Sequence, residues 1–316
     1  MSTKSPVLTS APHLPEVALN IYNKKQPADI GLAGTRIATK SASPNVVRHI
    51  TFDVGGTELE GQFRAGQSIG ILPPGKNDKG KPHPMRLYSI SSPSSGEQGR
   101  GRYYATTVKR LVGEHWETQE LFQGLCSNYL SSLKPGARLQ AAGPSGKRFL
   151  LPEEANDFNY VFFATGTGIA PFRGMIMDLM SAGFKGHIIL IMGVPYRTDL
   201  LYDDYFSQLE KEHPNFHYLP TISREDPWPD GSKRYVQSHL MQQPKLLKPV
   251  LAQENTLVYI CGLKGMESGI LRCFVHHGLE QYITLKKPLE GSPFSLDEKQ
   301  LKRTLKPSER MFLEVY

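Results

Sequence analysis

Six short stretches hold residue types suited to chemistry rather than to packing. RLYSISS (residues 86–92) sets Arg86, Tyr88 and three serines in a strand-like run with two aliphatics. Each buried hydroxyl needs a hydrogen-bond partner, so a strand that only filled a core would carry valine and leucine instead. The mix suits a large, flat, polar, phosphorylated ligand. ATGTGIAPF (164–172) follows an apolar run and opens a helical pattern, with Pro171 fit for a first helical turn. Gly166 and Gly168 let backbone amides approach a pyrophosphate at a helix N-terminus. The loop is not G-x-G-x-x-G and is also compatible with an ordinary tight turn. TISRE (221–225) and SKRYVQ (232–237) offer Ser223, Arg224, Lys233 and Tyr235, a hydroxyl, two cations and a flat ring. That set suits a ribose 2′-phosphate with an adenine beside it, or else forms a solvated basic loop. No acidic residue for an unphosphorylated ribose is evident at this strand end apart from Glu225. CGLKGME (261–267) puts Cys261 where a parallel strand delivers its C-terminal edge to a ligand crevice. A free cysteine is more often a small buried hydrophobe. FLEVY ends the sequence on Glu314 and Tyr316, either a frayed end or a docked ring able to cover a flat cofactor.

The elements that must position these residues fall into two grammars. Residues 1–30 are rich in Pro, Ser, Thr and Ala without a hydrophobic run, and read as a mobile N-terminal tail. From 31 to 153, VVRHITFDV, QSIGIL, RLYSISS and RYYATTVKR are short strands. GQFRAGQ, PPGKNDKGKP and KPGARL are turns, so the pattern predicts an antiparallel β-barrel. One helix interrupts it near CSNYLSSL, with Ser127 or Asn128 as cap. From 154 to 316, YVFFA, HIILIMGV, FHYLPTISR and TLVYI alternate with helical stretches. Such alternation predicts a parallel-sheet, Rossmann-like α/β domain. Residues 281–305 have no clear assignment.

Bulk properties exclude several classes. A chain of 316 residues with 39% hydrophobic and 21% charged residues suits two globular domains. No apolar run reaches the ~18 residues of a membrane span. Three cysteines (Cys126, Cys261, Cys273) form no CxxC pair, which argues against zinc or an iron–sulfur cluster on this chain; no metal site is expected. A net charge of +7 fits an acidic protein partner or phosphate-bearing ligands as well as a merely basic surface. No polybasic block interleaved with aromatics is present, so nucleic acid is not expected as a partner.

Taken in order, GKPHPMRLYSISS, TVKRL, GLCSNYLSSLKPG, GPSGK, TGTGIAPFR, GVP, SRE, YVQ, CGLKGME and EVY resemble the plant-type ferredoxin–NADP+ reductase family, from about residue 60 to the end. The resemblance implies a barrel domain holding FAD. Arg86 would meet its pyrophosphate, Leu87 and Tyr88 would lie along the flavin with Tyr88 against the isoalloxazine, and Ser89 would reach its reactive edge. Thr107, Val108, Lys109, Gly124, Leu125, Cys126 and Ser127 would add contacts. The second domain would bind NADP(H) as substrate. Thr167 would meet the pyrophosphate and also touch the flavin, Val194 and Pro195 would run along the dinucleotide, and Lys109 would add a cation. Ser223, Arg224, Lys233, Tyr235 and Gln237 would hold the adenosine 2′-phosphate end, with Gly262 and Leu263 lining the path. Ser89 and Cys261 would orient the nicotinamide, Glu314 would order that pocket and serve a proton path, and Tyr316 would cover the flavin until nicotinamide displaces it.

The implied activity is exchange of a hydride with NADP(H) and of single electrons with ferredoxin or flavodoxin, an acidic separate protein; Lys109, Arg110 and the lysines at 76–81 are its expected contacts. The alternative is an NADPH-dependent flavoprotein reductase feeding an oxygenase. A monomer in the bacterial cytoplasm is expected, with the plastid stroma as the other possible compartment. Two departures stand out. Where plastid members carry an adenine-stacking aromatic after VKRL, this chain has Gly113, leaving His115 or Trp116 as substitutes. The segment LKKPLEGSPFSLDEK before EVY is also longer than the family pattern, and is expected to lie on the surface.

Overall fold

The computed structural model describes residues 11–114, 117–289 and 291–316. They form two units: 15–151 with 169–182, and the described parts of 1–14, 152–168 and 183–316. In the first unit the strands are β1 (Ala28–Ile37), β2 (Val47–Asp53), β3 (Ser68–Leu72), β4 (Arg86–Ser89) and β5 (Tyr103–Lys109). A hairpin of β6 (Val112–Glu114) and β7 (Leu121–Gln123) leads into helix α1 (Leu125–Ser132), and β8 (Arg138–Ser145) follows. Six strands pair antiparallel in the order β4-β3-β8-β1-β2-β5. A bridge between Ile90 and Thr106 joins the two ends and closes the barrel. Alternation along β2 sends Ile50 and Phe52 inward, where they meet Ile69, Ile71, Tyr104 and, from α1, Cys126 and Leu130.

Two expectations change here. Residues 15–30, read as mobile tail, are tied to the barrel. Tyr22 exchanges backbone hydrogen bonds with Gly143, the Gln67 amide donates to the Ala18 carbonyl, and β1 begins at Ala28. Residues 1–10 lie outside the described residues. The cap of α1 is Gly124, not Ser127 or Asn128. Both side chains instead reach back to the Gly124 carbonyl, and Asn128 also donates to that of Leu111.

The second unit is a parallel sheet: β9 (Asn159–Thr165), β10 (Ile188–Val194), β11 (Phe216–Ile222), β12 (Thr256–Gly262) and a late strand at Met311–Val315. Helix α2 (Ile169–Ser181) follows β9, α3 (Asp203–Glu212) follows β10, and α4 (His239–Gln242) and α5 (Pro244–Leu251) precede β12. After α6 (Met266–His276) come β13 (Ile283–Leu285), α7 (Glu298–Thr304), β14 (Leu305–Pro307) and β15, the Met311–Val315 strand. The order β11-β10-β9-β12-β15 puts a topological switch beside β9, where such sheets form their ligand crevice. Val161, Phe163, Ile189, Val258 and Ile260 pack with Leu247, Ile270 and Phe274 from the helices. The described residues of the long segment 285–299 are mostly exposed, as expected; around it β13 pairs with β14, α7 carries an Asp297/Gln300 capping box, and beyond it Leu301 and Leu305 enter the core.

Helix α2 groups with the barrel, although the loop that starts it belongs to the sheet. Its Arg173 guanidinium donates to Glu97 Oε1 and to the Ser91 carbonyl, each at 2.7 Å. Asp178 accepts from the Ser94 amide (2.9 Å) and hydroxyl (2.6 Å). Burial holds the nearby His49 imidazole below its ordinary pKa, so the Glu97 carboxylate is offset mainly by Arg173. Among the described residues no helix is long and apolar enough to cross a membrane.

Candidate functional site

On the barrel unit, the polar strand and the start of α1 come together. Arg86 and Leu87 are exposed while Tyr88 and Ser89 are half-buried. The Tyr88 hydroxyl hydrogen-bonds the Cys126 thiol, and burial raises the pKa of both groups. Thr106 donates to the Ser89 carbonyl at 2.8 Å, fixing the strand end. No side chain caps the first turn of α1 at Gly124. Uncapped amides beside the Arg86 cation make a corner suited to a pyrophosphate, with the Tyr88 ring nearby as a flat wall. The donor set therefore fits FAD.

Other members of that set divide by orientation. Thr107 is buried on β5, and Lys109 is exposed at its end. Val108 faces the barrel core, which leaves only its backbone for a ligand. Leu125 is exposed, whereas the Ser127 hydroxyl is engaged locally, accepting from the Leu111 amide at 3.2 Å. Gly113 faces Phe122 across the hairpin, and a Cβ there would come within 2.6 Å of the ring. The glycine thus accommodates an aromatic on the opposite strand, a residue that reading along VKRL did not single out. His115 and Trp116 lie outside the described residues.

On the sheet unit, the ends of β9, β12 and β15 meet. Cys261 pairs with Ala164 on one side and Glu314 on the other. Gly168 packs so closely that a Cβ would overlap the Cys261 carbonyl and Gly262. Gly262 itself has φ +145°, and a Cβ there would overlap Thr165. Thr165 Oγ1 accepts from the Leu263 amide at 2.9 Å, so the turn after β12 is bolted to the loop after β9. Tyr316 is not frayed. Its amide donates to the Gly262 carbonyl (3.0 Å), its carbonyl accepts from Lys264 (2.9 Å), and its hydroxyl lies 2.7 Å from Thr167 Oγ1. With 55% of its surface exposed, the ring is anchored yet accessible. Burial pushes the Cys261 thiol well above its ordinary pKa, leaving a small neutral wall.

Burial also raises the Glu314 carboxyl from 4.5 to about 7, and its Oε2 is buried without a partner among the described residues. Because the folded pKa is the higher one, the fold favours the protonated form. The cost of ionising it is absent below about pH 4.5, grows as pH rises, and is complete above about 7. Replacing Glu314 by glutamine is expected to gain up to about 3 kcal/mol relative to wild type at pH 8 and nothing at pH 4. Urea unfolding at the two pH values measures this; parallel pH dependence in the two proteins would refute it.

The adenosine-end set is built by the β10/β11 pairing. The Ser223 amide donates to the Val194 carbonyl (2.9 Å) and the Arg224 amide to that of Pro195 (3.1 Å). Arg224 lies over the Tyr196 ring, 5.3 Å from its centroid, and donates to the Tyr196 hydroxyl at 2.8 Å. Sequence reading missed Tyr196, although it directly follows GVP. Glu225, the one acidic candidate for a bare ribose, accepts from the Arg197 amide at 3.0 Å. Lys233 is exposed and Tyr235 is 50% exposed in the loop beyond. Gln237 is half-buried against Gly269 of α6. Two cations, a hydroxyl and two rings with no free carboxylate among them fit a 2′-phosphorylated adenosine.

Known proteins share sequence and fold with this chain. The oxidoreductase NAD-binding domain family matches residues 162–272. A ferredoxin–NADP reductase from Spirulina sp is 36% identical over 307 residues, covering 95% of this chain and 99% of the relative. The chloroplastic leaf isozyme 1 of Arabidopsis thaliana is 35% identical over 336 residues, covering 100% of this chain and 88% of its own. The solved ferredoxin–NADP+ reductase of Plasmodium falciparum shares the fold, with TM-score 0.71 at 24% identity over 94% of this chain and 99% of that one. A closed antiparallel barrel with a parallel sheet that carries this module defines a two-domain nucleotide-dependent oxidoreductase. The identity to its relatives goes further: the chain belongs to the ferredoxin–NADP reductase family.

Proposed function

We propose that the protein is an FAD-dependent ferredoxin–NADP+ reductase, exchanging a hydride with NADP(H) and single electrons with ferredoxin, with flavodoxin as a second partner. The docking of Tyr316 on Thr167 and Gly262, beside Cys261 and Glu314, carries the proposal: a terminal ring is held at the end of a nucleotide-binding sheet yet left accessible. Bound FAD supplies the conversion between two-electron hydride exchange and one-electron transfer. Arg86 and the uncapped amides of α1 bind its pyrophosphate, and Tyr88 orients its ring. Ser223, Arg224, Lys233 and Tyr235 bind the 2′-phosphate and adenine, with the Tyr196 ring supporting the Arg224 guanidinium. Thr167 and the loop glycines receive the dinucleotide pyrophosphate, which runs past Val194 and Pro195.

Cys261 orients the nicotinamide, Ser89 presents its hydroxyl to the reactive edge of the flavin, and Glu314 Oε2 holds a proton near neutral pH. Its raised pKa supports that role. The net charge of +7 favours an acidic protein partner through steering, with Lys109 and the lysines at 76–81 as contacts. We assign the protein as a monomer of the bacterial cytoplasm. The test is spectroscopic and kinetic. Purified protein should be yellow, with one FAD per chain, and should reduce cytochrome c from NADPH only when ferredoxin is added. A colourless folded protein would refute the flavin assignment.

Nucleotide selection gives a sharper result. Arg224→Leu is expected to raise KM for NADPH by about 10- to 100-fold, the worth of one charge-assisted phosphate contact at 1.5–3 kcal/mol, and to leave KM for NADH within about twofold. Steady-state kinetics with both nucleotides decide it. An equal change for the two would show that Arg224 does not read the phosphate.

A further inference from the structure

We propose that the barrel unit carries a second ligand site, a groove for a small organic phosphate between α1, the start of β2 and the end of β5. The groove has a volume of about 630 Å³, within the range of small-molecule sites, and lies at a barrel mouth, where such sites recur. Arg48 and Arg110 line it, with Asn128, Tyr129 and Ser131 from α1 and Val46 from the chain just before β2. It shares Leu125 alone with the residues assigned to the flavin.

Four observations point to an oxyanion. First, Arg48 lies on the same face of β2 as Ile50 and Phe52, so the barrel wall buries its stem, and its Nε is buried without a partner. Its Nη1 reaches Thr35 Oγ1 only at a long 3.4 Å. Second, the Ser131 hydroxyl on the opposite wall is also buried and unpartnered. Unsatisfied donors of this kind are costly unless a ligand or water meets them. Third, Arg110 is held at the rim by its Nε bond to Asn128 Oδ1 at 2.9 Å, which leaves the outer nitrogens of the fork free to bind. Fourth, among the described residues no carboxylate pairs with either guanidinium, so the groove keeps two uncompensated positive charges. A phosphate has three terminal oxygens to share among two guanidiniums and a hydroxyl, where a carboxylate has two. Val46, Leu125 and the Tyr129 ring supply an apolar wall for the body that bears it.

Phenyl phosphate is the probe, titrated calorimetrically into the purified holoenzyme with saturating NADP+ so that the nucleotide phosphate sites are filled. Saturable 1:1 binding is expected, tighter than for inorganic phosphate and for benzoate. Arg48→Met should weaken it by at least about tenfold, Arg48→Lys by less, and Ser131→Ala by a few-fold. NADPH-driven ferricyanide reduction should stay unchanged in all three, because none of these residues belongs to the flavin or nucleotide sets. Absence of saturable binding, binding equal in wild type, Arg48→Lys and Ser131→Ala, or benzoate bound as tightly as phenyl phosphate would each overturn the proposal. The serine variant and the charge-conserving one keep the test valid should the methionine variant fail to fold.

Discussion

Tyr316→Ser is expected to raise kcat/KM for NADH by about 8- to 160-fold and to change that for NADPH far less. The range follows from what holds the ring. One hydroxyl bond to Thr167 contributes roughly 0.5–1.5 kcal/mol. Burial of about half the ring adds roughly 0.7–1.5 kcal/mol. Any nicotinamide that takes the ring's place must overcome that sum. On the proposed assignment, NADPH would do so with the binding free energy of its remote phosphate at Ser223 and Arg224, a contact NADH would lack. Removing the ring removes the cost for both, but only the unanchored nucleotide was limited by it. Tyr316→Phe deletes the hydroxyl bond alone and should fall between the two. Steady-state kinetics with both nucleotides check the series. An unchanged preference in the serine variant would end the displacement reading while leaving the phosphate contacts intact.

Arg173→Met is expected to destabilise the protein by about 3–5 kcal/mol, the cost of leaving a buried carboxylate without its cation. Arg173 has only 12% of its side chain exposed and Glu97 19%, so solvent cannot take over the lost partner. The His49 imidazole, 3.9 Å from Glu97, is held neutral by burial and offers little compensation near pH 7. The variant also orphans the Ser91 carbonyl, which the same guanidinium reaches. The double replacement Arg173→Met with Glu97→Gln should recover part of the loss, because the amide carries no charge to desolvate. Guanidinium denaturation of the four proteins in this cycle measures the coupling. A single variant within about 1 kcal/mol of wild type would show that the pair is dispensable.

Local chemistry was legible in the sequence wherever it depended on residues adjacent along the chain. RLYSISS, ATGTGIAPF and CGLKGME each fall at a strand end, and hydrophobic runs marked β9 to β12 well. What stayed hidden depends on pairing across distance. Strand β8 lacks strong alternation, that of β1 is short and interrupted by glycines, and residues 15–30 are held through their own backbone groups, by Gly143 and the Gln67 side chain, which leaves no mark on composition. Tyr196 reads as a loop residue until β11 brings Arg224 onto its ring. Glu225 looks available for a ribose until Arg197 occupies it. Phe122 gains meaning only from the cross-strand glycine that makes room for it. The alliance of α2 with the barrel is likewise a matter of packing, since its sequence reads as an ordinary crossover helix.

That alliance limits how the gene can be dissected. A fragment ending at Leu151 would contain every strand of the barrel yet lack the helix that completes it. Glu97 would lose its cation, Ser94 its carboxylate, and the surface that receives Phe172 and Met175 would face water. Flavin-binding fragments cut at the apparent border should therefore precipitate or shed cofactor. Supplying the 169–182 peptide in trans, or splicing it after residue 151, is the remedy the packing suggests.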